Sequence, residues 1–246
     1  MHAHDPPWVL GLIPARRGSK GIRHKNLRPL AGRPLIQYTC AAALASRHLT
    51  QVLVSTDCPR VAAAARADGV QVPFRRPSRL AGDTARSVDV IQHALHWLAQ
   101  HQHRYPDIVA LLQPTAPLRE GHHIDEAIGL LLASDADSVV SVTPVPTHYH
   151  PEWQFCVRDH QLVSWTGTPL AQLVARRQDL PATYSRNGAL YVFWTRVLQE
   201  TGSLYGTRCL AYVMPPEVSV NIDTVEDWRR AERLLGSQPA ETPHGL

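Results

Sequence analysis

Apolar and polar positions alternate between two rhythms along most of the chain. WVLGLI at 8–13 is a short apolar run stopped by Pro14, the pattern of a strand buried on both faces. PLIQYTCAAALASR at 34–47 has helical spacing, with Pro34 suited to a first helical position. QVLVST (51–56) reads as a strand, PRVAAAARADG (59–69) as a helix closed by Gly69, and VQVPF (70–74) as another strand. Residues 87–101 predict an amphipathic helix, and DIVALLQ (107–113) a strand ended by Pro114. HHIDEAIGLLLAS (122–134) places Ile124, Ala127, Ile128, Leu131 and Leu132 on one helical face, and DSVVSVTP (137–144) returns to strand texture. This alternation predicts a three-layer α/β/α fold, its mostly parallel sheet covered by helices on both faces. Ligands of such sheets bind beyond the carboxyl ends of the strands.

The rhythm breaks at about 145–185, where polar, aromatic and proline residues crowd together. That segment reads as an insertion of irregular or antiparallel structure, suited to an oligomer contact or a substrate lid. Strand-like texture resumes at 187–194 and 208–214, SVNID (219–223) reads as a last strand, and 224–236 as a terminal helix. Thr224 and Asp227 resemble a capping box for that helix. The organisation is one domain over 8–236, with 1–7 and 237–246 as disordered tails.

Composition narrows the classes. The 246 residues are 44% hydrophobic, enough for a sizeable core. No apolar run approaches the ~18 residues that would span a bilayer, and MHAHDPPW lacks the regions of a signal peptide. Cys40, Cys58, Cys156 and Cys209 lie far apart, which reads as reduced thiols in a cytoplasmic protein. The histidines at 93, 96, 101 and 103 share no helix face with carboxylates and read as a solvated helix end, and the two near the amino terminus as a frayed end.

Charge then isolates one segment. Arg16, Arg17, Lys20, Arg23, Lys25 and Arg28 place six positive charges within 16–28, where no acid occurs, whereas the whole chain is only +4. The remainder is therefore net −2. Gly18 and Gly21 let the backbone turn tightly beside a ligand. A glycine-containing basic loop at a strand end points to a polyanion such as a nucleotide phosphate, although the Walker and G-x-G-x-x-G spacings are both absent. A solvated loop or a nucleic-acid contact would show the same charge. Nucleic acid is disfavoured by the slightly acidic remainder and by the lack of a stacking-aromatic motif.

IPARRGSKGIRHKNLRPLAGRPLI resembles the amino-terminal signature of the acylneuraminate cytidylyltransferases. VSTD (54–57), RRPSRLAGDTARS (75–87), LLQPTAPLR (111–119), SVVSV (138–142), RNGALYV (186–192) and NIDTVEDW (221–228) follow in the family's order. The resemblance implies a Rossmann-like sheet of the nucleotide-diphospho-sugar transferase type. It also implies transfer of CMP from CTP to the anomeric hydroxyl of a 2-keto-3-deoxy sugar acid, with release of pyrophosphate. Ala15, Arg16, Lys20, Lys25 and Asn26 would then line the triphosphate, with Arg16 and Lys25 catalytic. Arg76, Ala85 and Ser87 would read the cytosine; Ser87 alternatively caps the helix beginning there, and Asp83 is suited to cap it as well.

By the same resemblance, Gln113, Arg177, Asn187 and Tyr191 would hold the sugar acid, with Arg177 on its carboxylate. Loop-fixing for Gln113 and core packing for Tyr191 are the structural alternatives. Asp223 is the implied ligand of Mg²⁺ or Mn²⁺, and the expected assembly is a homodimer. Two departures stand out. Asn221 occupies a position where many members carry a second aspartate, and Trp153 one where sialic acid enzymes often carry a basic residue. The first bears on metal affinity. The second favours a legionaminic-like bacterial nonulosonic acid over N-acetylneuraminate. Transfer to another sugar or from another NTP, and a CTP-binding regulator without catalysis, are the competing functions.

Overall fold

The computed structural model describes residues 6–19 and 21–237. Expectations for Lys20 and for most of both tails lie outside the described residues. Strand β1 (Val9–Pro14) runs parallel to β4 (Gln51–Ser55) on one side and to β5 (Ile108–Leu112) on the other. β9 (Tyr184–Trp194) is antiparallel to both β5 and β6 (Ser138–Pro144), and β10 (Cys209–Val213) closes the far edge parallel to β6. The order is β10-β6-β9-β5-β1-β4. The sheet is therefore mostly parallel, with β9 reversed. Between these strands, β2 (Pro29–Leu30) and β3 (Arg33–Pro34) form a two-residue ribbon.

Alternate residues of β1 enter different cores. Val9 and Ile13 join a cluster containing Ile36 and Cys40 of α1 (Leu35–Ala45), Val61 and Ala65 of α2 (Pro59–Ala67), and Ile124 and Ile128 of α4 (Gly121–Leu132). Leu10 and Leu12 face the other way, onto Ile91, Leu95 and Leu98 of α3 (Ser87–Gln102) and Leu198 of α5 (Thr195–Thr201). Two layers of helices thus explain why the strands read as unbroken apolar runs. A third cluster lies off the sheet. It joins Ile22 of the basic loop to Ile222 and to Trp228 and Ala231 of α6 (Val225–Ser237).

Two expected strands do not form. Residues 70–74 make only one isolated bridge, Leu53 to Gln71, followed by another just beyond, Thr56 to Arg75. Pro73 removes a ladder donor there. Residues 219–223 are irregular; Val220 and Ile222 are buried under α6, and the Ile222 N–H donates to the Thr115 carbonyl at 2.8 Å. The capping box is present, since Asp227 accepts from the Thr224 N–H at 2.8 Å and its own N–H donates back to Thr224 Oγ1 at 3.2 Å. The inserted segment contains the hairpin β7 (Phe155–Arg158) and β8 (Gln161–Ser164) among short 3₁₀ turns.

All four cysteines are free. The histidine-rich stretch is helical, with His93 edge-on to Phe74 and His101 stacked on Trp97. No helix among the described residues is long and apolar enough to cross a membrane.

Candidate active site

The basic loop begins where β1 ends. Ala15 is buried and its N–H donates to the Ser55 carbonyl at 2.9 Å, so it continues the sheet edge rather than facing the cavity. The Arg17 N–H donates to Asp57 Oδ1 at 2.8 Å, and Asn26 Nδ2 donates to the Arg16 carbonyl at 2.9 Å. The first bond ties the loop to the segment after β4, and the second folds it back on itself. Ile22 then anchors it in the third core; full burial of such a side chain stabilises by about 1.5–3 kcal/mol. Because that core also contains Ile222, the loop and the segment bearing Asp223 are fixed against each other.

Gly21 marks the closest approach. A Cβ there would lie inside contact distance of the Asp223 carbonyl oxygen, so no larger residue fits without moving one backbone. Lys25 Nζ consequently reaches the Ile222 carbonyl at 2.6 Å and Asp223 Oδ1 at 3.2 Å. The lysine side chain is only 12% exposed whereas that of Asp223 is 66% exposed, so the carboxylate remains open to solvent.

Around this contact lies a cavity of about 560 Å³. One wall is the basic loop, with Arg16, Gly18, Lys25 and Asn26. The facing wall runs from Arg76 through Leu80, Asp83 and Ala85 to Ser87, and the floor is Gln113, Pro114 and Thr115 at the end of β5. Arg76 contributes mainly structure: it is buried, Nε donates to Ser55 Oγ at 3.0 Å, and Nη2 donates to the Ser55 carbonyl. Burial pushes its guanidinium down to about 10. Neither Ser87 nor Asp83 caps α3. Arg86 is at the N-cap without a side-chain bond, and Asp83 instead pairs with Arg16 Nη1 at 2.8 Å.

The expected sugar-acid residues separate. Gln113 lines the cavity. Asn187 does not: it is buried, accepts from Ser141 Oγ at 2.6 Å and donates from Nδ2 to Ser219 Oγ at 3.0 Å, which ties β6 and β9 to the segment after β10. Tyr191 is packed in the second core, where burial raises its phenol above the ordinary value. Arg177 lies in the insertion, with Nε donating to Thr147 Oγ1 at 3.1 Å, and lines a separate pocket of about 430 Å³ with Trp153 and His148. Within a single chain, then, three of these four residues stand outside the cavity, two of them because the scaffold uses them.

The oxygen donors meet at Gly188, whose φ of +72° suits glycine; a Cβ there would sit 3.3 Å from Asn221 Oδ1 and 3.4 Å from Gln113 Oε1. Asn221 Nδ2 donates to Asp223 Oδ2 at 2.8 Å, while its buried Oδ1 has no hydrogen-bond partner. Among the described residues no group of three or more His, Cys, Asp or Glu could hold a metal. Asp223 is thus the open oxygen donor, and Asn221, whose Nδ2 faces it while Oδ1 is buried, would supply a second on turning its amide over. A set this small suits Mg²⁺, which commonly takes its remaining ligands from phosphate and water.

Two contributors go beyond the roles expected from the sequence. Arg119 is fully buried and its Nη1 donates to the Gln113 carbonyl at 3.2 Å and the Ala189 carbonyl at 2.8 Å, bracing the residue after β5 against the middle of β9. Burial pushes it down to about 9. Asp83, expected only as a helix cap, is the other. A further signal was present in the loop itself: the chain's only two lysines, Lys20 and Lys25, both lie in it, against 23 arginines elsewhere and nearby.

Cations and an open carboxylate gathered at the carboxyl ends of β1 and β5 make this an α/β protein with a charged cavity where ligands of such sheets bind. A family profile described as cytidylyltransferase matches residues 10–235. The chain belongs to the cytidylyltransferase family. It is 35% identical over 227 residues to N-acylneuraminate cytidylyltransferase A of Danio rerio, covering 92% of this chain and 50% of that protein. CMP-N,N'-diacetyllegionaminic acid synthase of Legionella pneumophila is also 35% identical, over 231 residues that cover 92% of this chain and 96% of that one. The chain therefore spans about half the length of the first relative and nearly all of the second. A solved CMP:2-keto-3-deoxy-manno-octonic acid synthetase complexed with CTP shares the fold, with a TM-score of 0.69 at 19% identity over 93% of this chain and 98% of that one.

Proposed function

We propose that this chain transfers CMP from CTP to the anomeric hydroxyl of a nonulosonic acid, releasing pyrophosphate. The observation that carries the reading is the meeting of Arg16, Lys25 and Asp223 in one cavity at the strand ends, in a chain of the cytidylyltransferase family. Arg16 and Lys25 supply positive charge where the α-phosphorus is attacked and pyrophosphate departs. Ala85 and Ser87, on the facing wall, form the short-chain surface for the cytosine, and Gln113 orients the sugar hydroxyls. Mg²⁺ or Mn²⁺ held by Asp223, with Asn221 as a second oxygen donor, would neutralise phosphate charge.

The Arg177 pocket fits a role completed by a second copy. Phe155, Val157, Leu162, Val163 and Trp165 of the insertion are exposed apolar residues, which supports a homodimer through this hairpin. Seated there, Arg177 of one protomer would meet the sugar carboxylate bound by its partner. Trp153, whose Nε1 donates to the Val174 carbonyl at 2.7 Å, presents an aromatic wall beside Arg177 and favours a legionaminic-like acid over N-acetylneuraminate. Dependence on CTP and four free thiols fit the cytoplasm. Incubation with CTP, Mg²⁺ and a panel of nonulosonic acids tests the reading through CMP-sugar and pyrophosphate. CTP binding without turnover on any sugar would identify a regulator instead, the alternative that Asn221 favours.

A further inference from the structure

Of the three described cations that line the cavity, Arg76 is bonded to Ser55, and Lys25 and Arg16 are each engaged by a carboxylate of the chain itself. Lys25 faces Asp223, and Arg16 faces Asp83 across the cavity from the opposite wall. The two pairs differ in how a triphosphate would displace them. Asp223 would be compensated by a divalent cation that it holds. Asp83 lies on the other wall, where the incoming phosphates compete with it directly for Arg16.

Segment 81–86 suits that competition. Leu80 is buried at one end and Val90 and Ile91 of α3 are buried at the other, so the segment is anchored on both sides. Between the anchors, a Cβ at Gly82 would meet nothing within 4 Å, so the turn has open space to move into. The Asp83 side chain is 46% exposed and that of Arg16 is 30% exposed, which makes the pair a modest, breakable one. The backbone of Arg16, by contrast, is fixed through its carbonyl by Asn26.

The geometry points to Asp83 as a positioning residue that acts through Arg16, standing in for the triphosphate anion while the cavity is empty. It lowers affinity for CTP by occupying Arg16. After transfer it recaptures Arg16 and so hastens pyrophosphate departure. Binding energy that would otherwise hold the product is exchanged for turnover. This inference rests on the cytidylyltransferase reading and adds to it the residue that sets anion release.

The test measures CTP and inorganic pyrophosphate binding by titration calorimetry in Mg²⁺ buffer for the wild type, Asp83→Asn and Asp83→Glu. Removing a surface ion pair that competes with the ligand is expected to tighten both ligands about fivefold in Asp83→Asn. Asp83→Glu, which keeps the charge, is expected to return most of the way to wild type. Steady-state kinetics should show KM for CTP, the pyrophosphate inhibition constant and kcat all falling. In an Arg16→Ala background, Asp83→Asn should alter affinity less than it does in the wild-type background.

Equal or weaker binding by a folded Asp83→Asn protein overturns the inference, as does an undiminished effect in the Arg16→Ala background. Asp83→Ser repeats the measurement should Asp83→Asn not fold. If the wild type binds no CTP, the cytidylyltransferase reading fails by itself. Pyrophosphate then decides the role of Asp83: tightening in Asp83→Asn supports it and unchanged affinity overturns it.

Discussion

Replacing Gly21 by alanine tests the packing that brings the lysine and the carboxylate together. The new Cβ would press on the backbone carbonyl of Asp223, and backbone on both sides leaves no side chain to rotate away. Restoring van der Waals distance requires the loop and the Asp223 segment to part by about 1 Å. Lys25 Nζ now sits 2.6 Å from the Ile222 carbonyl and 3.2 Å from Asp223 Oδ1. A separation of about 1 Å takes the shorter contact to the limit at which a hydrogen bond no longer exists, and the longer one beyond it. Misplacement of a charge-stabilising group by that amount costs about 10²-fold in rate, equivalent to about 2.7 kcal/mol. Overpacking should also cost stability by about 1–3 kcal/mol, partly offset by the stiffer unfolded chain. The assay is the initial rate of pyrophosphate release with CTP and the accepted sugar acid, beside a thermal melt. Wild-type turnover with an unchanged melting temperature would refute the claim that this contact positions Lys25.

The lysine distribution gives a second expectation. An amine-reactive reagent should abolish the proposed CMP transfer by modifying Lys20 and Lys25, the chain's two lysines, and CTP should protect them, as read by peptide mass mapping. Inactivation that CTP does not slow would count against a triphosphate beside these ammoniums. A third concerns the metal. Asn221→Asp should tighten Mn²⁺ binding about tenfold in the absence of nucleotide, measured by electron paramagnetic resonance; weaker binding would remove Asn221 from the cation's surroundings. The fourth concerns pH. His123 is held down to about 4 mainly by burial, with His122 and Arg119 adding to the effect and Glu126 opposing it. Its folded value lies below the unfolded one of about 6.5, so the unfolded state binds the proton first. Stability should be complete above about 6.5 and decline by up to about 3 kcal/mol as pH falls towards 4. His123→Gln, which retains the capping position at the start of α4, should flatten that part of the denaturation profile; an unaltered slope would refute the assignment.

Elements with a strong local signature are legible in the order of residues alone. β1 and β5 are covered on both faces and so appear as continuous apolar runs, and α4 shows its buried stripe at helical spacing. Residues 70–74 and 219–223 have strand composition without strand partners. Their apolar side chains are required by neighbouring clusters, which composition does not distinguish from a ladder. Asn187 and Tyr191 show the same ambiguity at the site. A polar or aromatic residue in a motif serves a ligand or the scaffold according to what surrounds it, and here Ser141, Ser219 and the second core claim them.

By itself the sequence determined the alternation of strands and helices, the placement of a basic glycine loop after the first strand, and the family to which that series of motifs belongs. These follow from periodicity, charge and spacing, which act over a few residues at a time. Tertiary structure decided which charges meet. Lys25 and Asp223 are 198 positions apart and come together because Ile22 and Ile222 share one apolar cluster. Asp83 reaches Arg16 across a cavity, while Arg177 is held away by Thr147 in the insertion. Coulomb and hydrogen-bond energies depend on distance in space, and only packing of the apolar clusters sets that distance.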